Sequence, residues 1–139
     1  MFIPITPSVS VAPQIGPDDV AAAAAHGVRT IVNNRPDGES FDQPPGAHIA
    51  AACAAHGLDY VAIPIDHTGF SLEQVEAMAE ALASGPVLAF CRSGTRSCNL
   101  WALAAARGGM APADIVAAAG QGGYNVAGLM PLLKQLSGG

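Results

Sequence analysis

Residues 86–107 read PVLAFCRSGTRSCNLWALAAAR, and this stretch decides the fold prediction. Its first five residues are wholly apolar and predict a short strand of the kind that is buried in the middle of a parallel sheet. A tight loop that contains Gly94 follows directly, and residues 97–107 have the apolar spacing of a helix. A buried strand that passes through a short loop into a helix is typical of an α/β fold.

The same alternation continues on both sides of this stretch. Apolar runs rich in Val and Ile alternate with helix patterns, which predicts a mostly parallel central sheet flanked by helices. Residues 34–46 are dense in turn formers and predict a long surface loop, and loops of this length are often functional. Further strands are predicted over residues 8–12, 28–33 and 58–65, and further helices over residues 17–27, 47–56, 72–82, 113–119 and 124–136.

Length and composition limit the classes of function. The 139 residues predict one domain, residues 1–139, and a formal net charge of −5 disfavours nucleic acid as a partner, because phosphate contacts need clustered Lys and Arg. No apolar run approaches the roughly 20 residues that span a bilayer, and the N-terminus lacks a secretory pattern. We therefore expect no membrane contact and a cytoplasmic location. The three cysteines lack paired spacing, so we expect neither a disulfide framework nor a metal, and no cofactor.

The loop after the apolar strand has the features of an anion site. Its backbone N–H groups can point inward, and the N-terminus of the following helix adds its positive dipole end. In such surroundings Cys91 is favoured as a thiolate, the nucleophilic form of cysteine, and Arg96 can close the site with a fork of donors. Ser97 is placed to donate a further hydrogen bond to the sulfur. We predict Cys91 and Arg96 as catalytic residues, with anion or substrate binding by Arg92, Ser93, Gly94, Thr95 and Ser97.

Residues 91–97, Cys-Arg-Ser-Gly-Thr-Arg-Ser, resemble the active-site loop of rhodanese-like sulfurtransferases, which have four residues between Cys and Arg. The order of elements around this loop is similar to that of the protein tyrosine and dual-specificity phosphatases. Both features, together with residues 33–39 (Asn-Asn-Arg-Pro-Asp-Gly-Glu) and the Gly-Tyr-Asn at residues 123–125, resemble the beta-lactamase-hydrolase-like, or phosphatase-like, family of sulfurtransferases. The resemblance covers nearly the whole chain and implies a phosphatase-like fold.

Two departures from the phosphatase pattern favour sulfur transfer. Phosphatases of this fold have five residues between Cys and Arg, and losing one residue removes up to about 3.3–3.6 Å of loop, which narrows the site. They also place a histidine before the cysteine, where this chain has Phe90. Asp66, the third predicted catalytic residue, favours the phosphatase alternative, because it stands where dual-specificity phosphatases carry a general acid. We expect Asp66 to border the pocket without acting as an acid, since a thiolate or sulfite leaving group needs no proton.

The remaining candidate residues have competing interpretations. Arg35 is either a residue that orients the active-site loop and binds anions, with Glu39 as its ion-pair partner if it is buried, or an exposed loop charge. Cys53 and Cys98 are interpreted as buried small hydrophobes. His67, beside Asp66, is the only histidine that we expect near the pocket.

Three classes of function follow. The principal one is a sulfurtransferase, in which Cys91 takes a sulfane sulfur from thiosulfate or a low-molecular-weight persulfide and passes it to a thiol acceptor. The alternatives are a protein tyrosine or dual-specificity type phosphatase with a Cys91 phosphocysteine, and a non-catalytic persulfide sensor or carrier. Members of the family can be fused to a zinc-dependent sulfur dioxygenase domain, so a separate sulfur dioxygenase or sulfide-oxidising enzyme is a candidate partner by analogy.

Overall fold

A five-stranded sheet forms the centre of the computed structural model, which describes residues 1–138. The four strands after the first are parallel to one another, and the first is antiparallel to its neighbour. The strands are β1 (Ile3–Thr6), β2 (Val9–Ala12), β3 (Thr30–Asn33), β4 (Asp59–Ala62) and β5 (Val87–Phe90), in the order β1-β2-β5-β3-β4 across the sheet. The apolar run before Cys91 therefore lies in the middle of the sheet, as its composition predicts.

Helices cover both faces of this sheet. They are α1 (Pro17–Ala25), α2 (Gly46–Ala55), α3 (Leu72–Ala83), α4 (Thr95–Arg107), α5 (Pro112–Gln121) and α6 (Met130–Leu136), with a 3-10 turn at Ala127–Leu129. Successive side chains of β5 point to opposite faces. Leu88 and Phe90 pack with residues of α1 and α2, whereas Val87 and Ala89 pack with residues of α3 to α6.

The helix that follows Cys91, α4, is more deeply buried than the other helices. Cys98, Leu100, Leu103 and Ala104 of α4 are at most 1% exposed, and Trp101 is 2% exposed. Helix α4 packs against α3, α5, α6 and β5. Because α4 packs against other elements on several sides, its N-terminus is held in place, and so is the end of the loop that joins it.

The fold class predicted from the sequence is confirmed, but one strand has no counterpart among the predicted elements and one predicted helix is interrupted. The unpredicted strand is β1, whose Pro4 lacks a ladder donor and is tolerated because β1 lies at the edge of the sheet. The single helix predicted over residues 124–136 is a 3-10 turn followed by the seven-residue α6. Pro131 accounts for this difference, since its ring would clash with the carbonyl four residues earlier in a continuous helix. Among residues 1–138, no helix is long and apolar enough to cross a membrane.

Candidate active site

The candidate site lies at the carboxyl edge of the sheet, where the parallel strands β2, β5 and β3 end side by side. This edge is the usual place for ligand sites in open α/β sheets. Cys91 is the first residue after β5, and its N–H donates to the Ala12 carbonyl at 3.3 Å. On the other side, the Asn34 N–H donates to the Phe90 carbonyl at 2.9 Å. The two neighbouring strands therefore fix the point where the loop begins.

The loop turns back so that one of its amides contacts the sulfur of Cys91. Gly94 has a φ of 90°, a left-handed conformation that suits glycine, and its N–H donates to Cys91 Sγ at 3.1 Å. Helix α4 begins at Thr95, two residues earlier than predicted, so Gly94 is its N-cap. Cys91 is fully buried. An amide donor and the positive end of a helix dipole both stabilise negative charge on a sulfur, and this arrangement suits a nucleophilic thiolate.

The guanidinium of Arg96 is held by a carboxylate from the long loop after β3. Arg96 Nη1 donates to Glu39 Oε2 and Nη2 donates to Glu39 Oε1, both at 2.7 Å, and Nη1 also donates to the Ile65 carbonyl at 2.8 Å. Arg35 Nε donates to Glu39 Oε1 at 3.0 Å, and Arg35 Nη1 donates to Gln14 Oε1 at 3.0 Å. The Arg35 side chain is only 5% exposed. Arg35 is therefore not an exposed loop charge, and Glu39 is its ion-pair partner, as expected for a buried arginine.

The shared carboxylate is strongly acidic. The hydrogen bond from Arg96, assisted by Arg35, lowers the pKa of Glu39 from 4.5 to about 2, against the opposing effect of burial. The hydrogen bond to Glu39 also raises the pKa of Arg96, and the charge of Cys91 adds to this effect. The sequence predicted Glu39 only as a partner of Arg35. Its second partner lies 57 residues away, which no local pattern predicts.

A buried hydrogen-bond chain joins α4 to the ends of β3 and β4. The Ser97 hydroxyl donates to Asn34 Oδ1 at 2.8 Å, and Asn34 Nδ2 donates to the Ile63 carbonyl at 2.9 Å. Both Ser97 and Asn34 are fully buried. The predicted hydrogen bond from Ser97 to the sulfur of Cys91 is therefore not the one formed, because the Ser97 proton is directed to Asn34. Sequence reasoning missed Asn34 as a supporting residue, although its place directly after a strand end was a usable signal.

A cleft of about 420 Å³ opens beside the loop and is lined by Glu39, Asp66, His67, Arg92 and Arg96. Asp66 and His67 thus border the pocket, as expected. A hydrogen bond from the Thr68 hydroxyl, assisted by the Thr68 N–H, lowers the pKa of Asp66, so its carboxyl group is ionised at neutral pH.

Two hydroxyl groups of the loop are hydrogen-bonded to each other, since Ser93 Oγ donates to Thr95 Oγ1 at 3.0 Å.

The other two cysteines lie in the core. Burial raises the pKa of Cys53 to about 11 and that of Cys98 to about 12, so both are neutral thiols at physiological pH. Their interpretation as small hydrophobes agrees with this. Within the part of the chain that the structure describes, no group of three or more His, Cys, Asp or Glu side chains is placed to hold a metal ion.

Comparisons with known proteins point to one family. Residues 2–108 match the family model described as the phosphatase-like domain of beta-lactamase hydrolase-like protein. The beta-lactamase hydrolase-like protein of Xylella fastidiosa (strain Temecula1) is 32% identical over 137 residues, which are 96% of this chain and 32% of that protein. That of Agrobacterium fabrum (strain C58) is 36% identical over 93 residues, which are 66% of this chain and 22% of that protein. The chain spans a third or less of the length of these curated relatives.

Solved structures give the same fold. The crystal structure of nma1982, a proposed phosphatase from Neisseria meningitidis Z2491, superposes with a TM-score of 0.80 and 29% identity, covering 96% of this chain and 97% of that one. Tk-PTP in its active form gives a TM-score of 0.74 at 17% identity, covering 99% of this chain and 96% of that one, which shows the fold alone. Together with the buried Cys91, the family match and the likeness to nma1982 support a cysteine-dependent, phosphatase-like enzyme. None of the relatives named here is called a sulfurtransferase.

Proposed function

The chain belongs to the family of the phosphatase-like domain of beta-lactamase hydrolase-like proteins, and we propose that it uses Cys91 for covalent group transfer. We propose further that the transferred group is a sulfane sulfur. The small-molecule donor in this proposal is thiosulfate or a low-molecular-weight persulfide, and the acceptor is a second thiol. Fold likeness alone decides no activity, because one fold hosts many chemistries. The proposal therefore depends on the geometry of the loop.

The observation that carries the proposal is the closed four-residue loop between Cys91 and Arg96. The Gly94 N–H already lies 3.1 Å from Cys91 Sγ, and α4 starts at the next residue. A loop of this length is one residue shorter than the five-residue spacing of the phosphatases it resembles, which removes up to about 3.3–3.6 Å of backbone. A narrow loop suits one additional sulfur atom better than a phosphoryl group with three non-bridging oxygens.

The reaction has two balanced halves. In the first, the Cys91 thiolate attacks the outer sulfur of thiosulfate, the new Sγ–S bond forms as the old S–S bond breaks, and sulfite leaves with the bonding electron pair. In the second, an acceptor thiolate attacks the outer sulfur of the Cys91 persulfide, a new S–S bond to the acceptor forms as the Sγ–S bond breaks, and the acceptor leaves as a persulfide while Cys91 returns to the thiolate. Neither half needs an oxidant, a metal or a proton donor for the leaving group. A covalent intermediate of this kind gives ping-pong kinetics.

The charges around the loop fit an anionic donor. Arg92 lines the mouth of the cleft and can attract the donor, whereas Arg96 is held in place by Glu39 and stabilises negative charge near the sulfur. Asp66 is ionised, because Thr68 lowers its pKa, and an ionised carboxylate is a poor general acid. This state is compatible with sulfur transfer, in which sulfite or a thiolate leaves unprotonated.

Phosphomonoester hydrolysis is the second candidate, and the comparisons support it better than they support sulfur transfer. The solved structures named above are described as phosphatases or carry a PTP name. Asp66 and Arg96 also line one cleft, which is where a phosphatase needs a general acid and an anion-binding guanidinium. In this alternative Cys91 attacks phosphorus as the P–O bond to the departing alcohol breaks, and water then hydrolyses the phosphocysteine to inorganic phosphate and free Cys91.

Steady-state kinetics distinguish the two candidates. We expect ping-pong turnover of thiosulfate with glutathione as the acceptor, loss of that turnover in Cys91→Ser, and its retention in Cys53→Ala, which removes another buried thiol. Release of p-nitrophenol from its phosphate at a rate that Cys91→Ser abolishes, without turnover of thiosulfate, would establish the phosphatase instead. A stable modification of Cys91 with no turnover of either substrate would indicate a persulfide carrier.

A further inference from the structure

Tyr124 touches the active-site loop from a part of the chain that lies outside the matched family model, which ends at residue 108. Its hydroxyl donates to the Ser93 carbonyl at 3.0 Å. The hydroxyl also lies against Gly94, because a Cβ added to that glycine would overlap the Tyr124 oxygen. A side chain from the C-terminal region is therefore in direct contact with the loop.

The position of Tyr124 is set by the end of α5. Gly123 has a φ of 89°, and the Tyr124 N–H donates to the Ala119 carbonyl at 3.0 Å, which closes the C-terminus of that helix. Helix α5 packs in turn against α4 and β1. The tyrosine is thus oriented by the helical layer, independently of the loop that it contacts.

One planar group joins Tyr124 to Cys91. The carbonyl of Ser93 and the N–H of Gly94 belong to the same peptide bond, which is planar and trans, so they point in opposite directions. The carbonyl accepts the hydrogen bond from Tyr124, and the N–H donates to Cys91 Sγ at 3.1 Å. Fixing one end of this peptide fixes the other. We propose that Tyr124 is a positioning residue, which sets the plane of the Ser93–Gly94 peptide and so keeps its N–H directed at the reactive sulfur.

The loop needs such a restraint at this position. Gly94 has no side chain and adopts both signs of φ at little cost, so the peptide before it can rotate more easily than its neighbours. The preceding peptide has its own restraint, because the Arg92 carbonyl accepts from the Gln14 N–H at 3.3 Å. Without the Tyr124 hydroxyl, the Ser93 carbonyl loses its partner and the Gly94 N–H loses its fixed direction.

The test replaces Tyr124 by phenylalanine, which removes the hydroxyl and keeps the ring. We expect the Gly94 amide proton to move upfield in the 1H–15N spectrum, and the rate of Cys91 alkylation by iodoacetamide at pH 7 to fall by about three- to tenfold, the range for losing one hydrogen bond. The matched control is Tyr60→Phe, which removes the hydroxyl that accepts from Asn33 Nδ2. This control should leave the Gly94 resonance in place.

The inference rests on the proposed function only in that Cys91 is the nucleophile. Alkylation requires no sulfur donor, so a failure of sulfur transfer and a failure of the Tyr124 inference give separate results. A slower alkylation without a shift of the Gly94 resonance, or a shifted resonance without a slower alkylation, would overturn the inference. Thermal unfolding of Tyr124→Phe should match that of wild type within a few degrees, and a global loss of structure at 25 °C would likewise contradict a positioning role.

Discussion

Replacing Glu39 by glutamine removes the charge that Arg35 and Arg96 share and keeps the length of the side chain. At about 1.36 kcal/mol for each pH unit, the lowering of the Glu39 pKa from 4.5 to about 2 corresponds to at most roughly 3 kcal/mol of stability. The Glu39 side chain is 27% exposed, so solvent screening reduces this to about 1–2 kcal/mol. We expect Glu39→Gln to lower the free energy of unfolding by that amount at pH 7.

The pH dependence of this difference follows from the direction of the pKa change. Since the pKa of Glu39 is lower in the folded state, its stabilising effect is complete above pH 4.5 and is lost as the pH falls towards 2. The gap in unfolding free energy between wild type and Glu39→Gln should therefore close over this range. Urea titrations between pH 7 and pH 3, followed by the fluorescence of the buried Trp101, measure the gap.

The matched control is Glu76→Gln, which breaks the pair with Arg107. Both of those side chains are far more exposed, at 52% and 42%, so we expect less than about 0.5 kcal/mol at any pH. If Glu39→Gln were as stable as wild type at pH 7, or if its deficit did not change on acidification, the shared carboxylate would not hold the two arginines as described.

Three further predictions concern the surroundings of the loop. Asp66→Asn should change the rate of sulfur transfer by less than about threefold, since no leaving group needs its proton, and a loss of two orders of magnitude with an intact fold would favour a general acid. Asn34→Ala should lower the free energy of unfolding by about 1–3 kcal/mol in urea titrations, because it leaves the buried Ser97 hydroxyl without its acceptor, and an unchanged midpoint would count against that chain. Iodoacetamide at pH 8 should label the loop cysteine and spare Cys53 and Cys98, whose pKa values burial raises to about 11 and 12, and peptide mapping that found either of them labelled in the folded protein would contradict their neutral, buried state.

The central part of the fold was predictable because its signals are local. The apolar run before Cys91, the glycine in the loop and the helix pattern after it are contiguous in the sequence, and they predict the buried strand, the tight turn and α4, whose start differs by two residues. Strand β1 was missed because a four-residue strand with a proline carries little local signal, and its pairing with β2 is what defines it. The backbone N–H and C=O groups of a strand bond to the segment that lies beside it in space. A pattern along the chain does not show which segment that is.

The loop sequence places Cys91 and Arg96 together, and their nucleophilic and anion-binding roles stay predictions. The contacts around them were less predictable, because the carboxylate of Glu39 reaches Arg96 across 57 positions and Tyr124 reaches Ser93 across 31. For Ser97 the predicted contact is wrong. Its place in the loop predicts a hydrogen bond to the sulfur, but its hydroxyl donates to the buried Asn34 instead. In each case the deciding partner lies in a connecting segment that is distant in the sequence.

The identity of the transferred group is tested most directly by intact mass spectrometry after incubation with thiosulfate and removal of the excess. We expect the chain to gain about 32 Da, one sulfur atom, which peptide mapping places on Cys91, and to lose it on addition of glutathione. A chain that gained no mass from thiosulfate, but gained about 80 Da at Cys91 from a phosphomonoester, would contradict it.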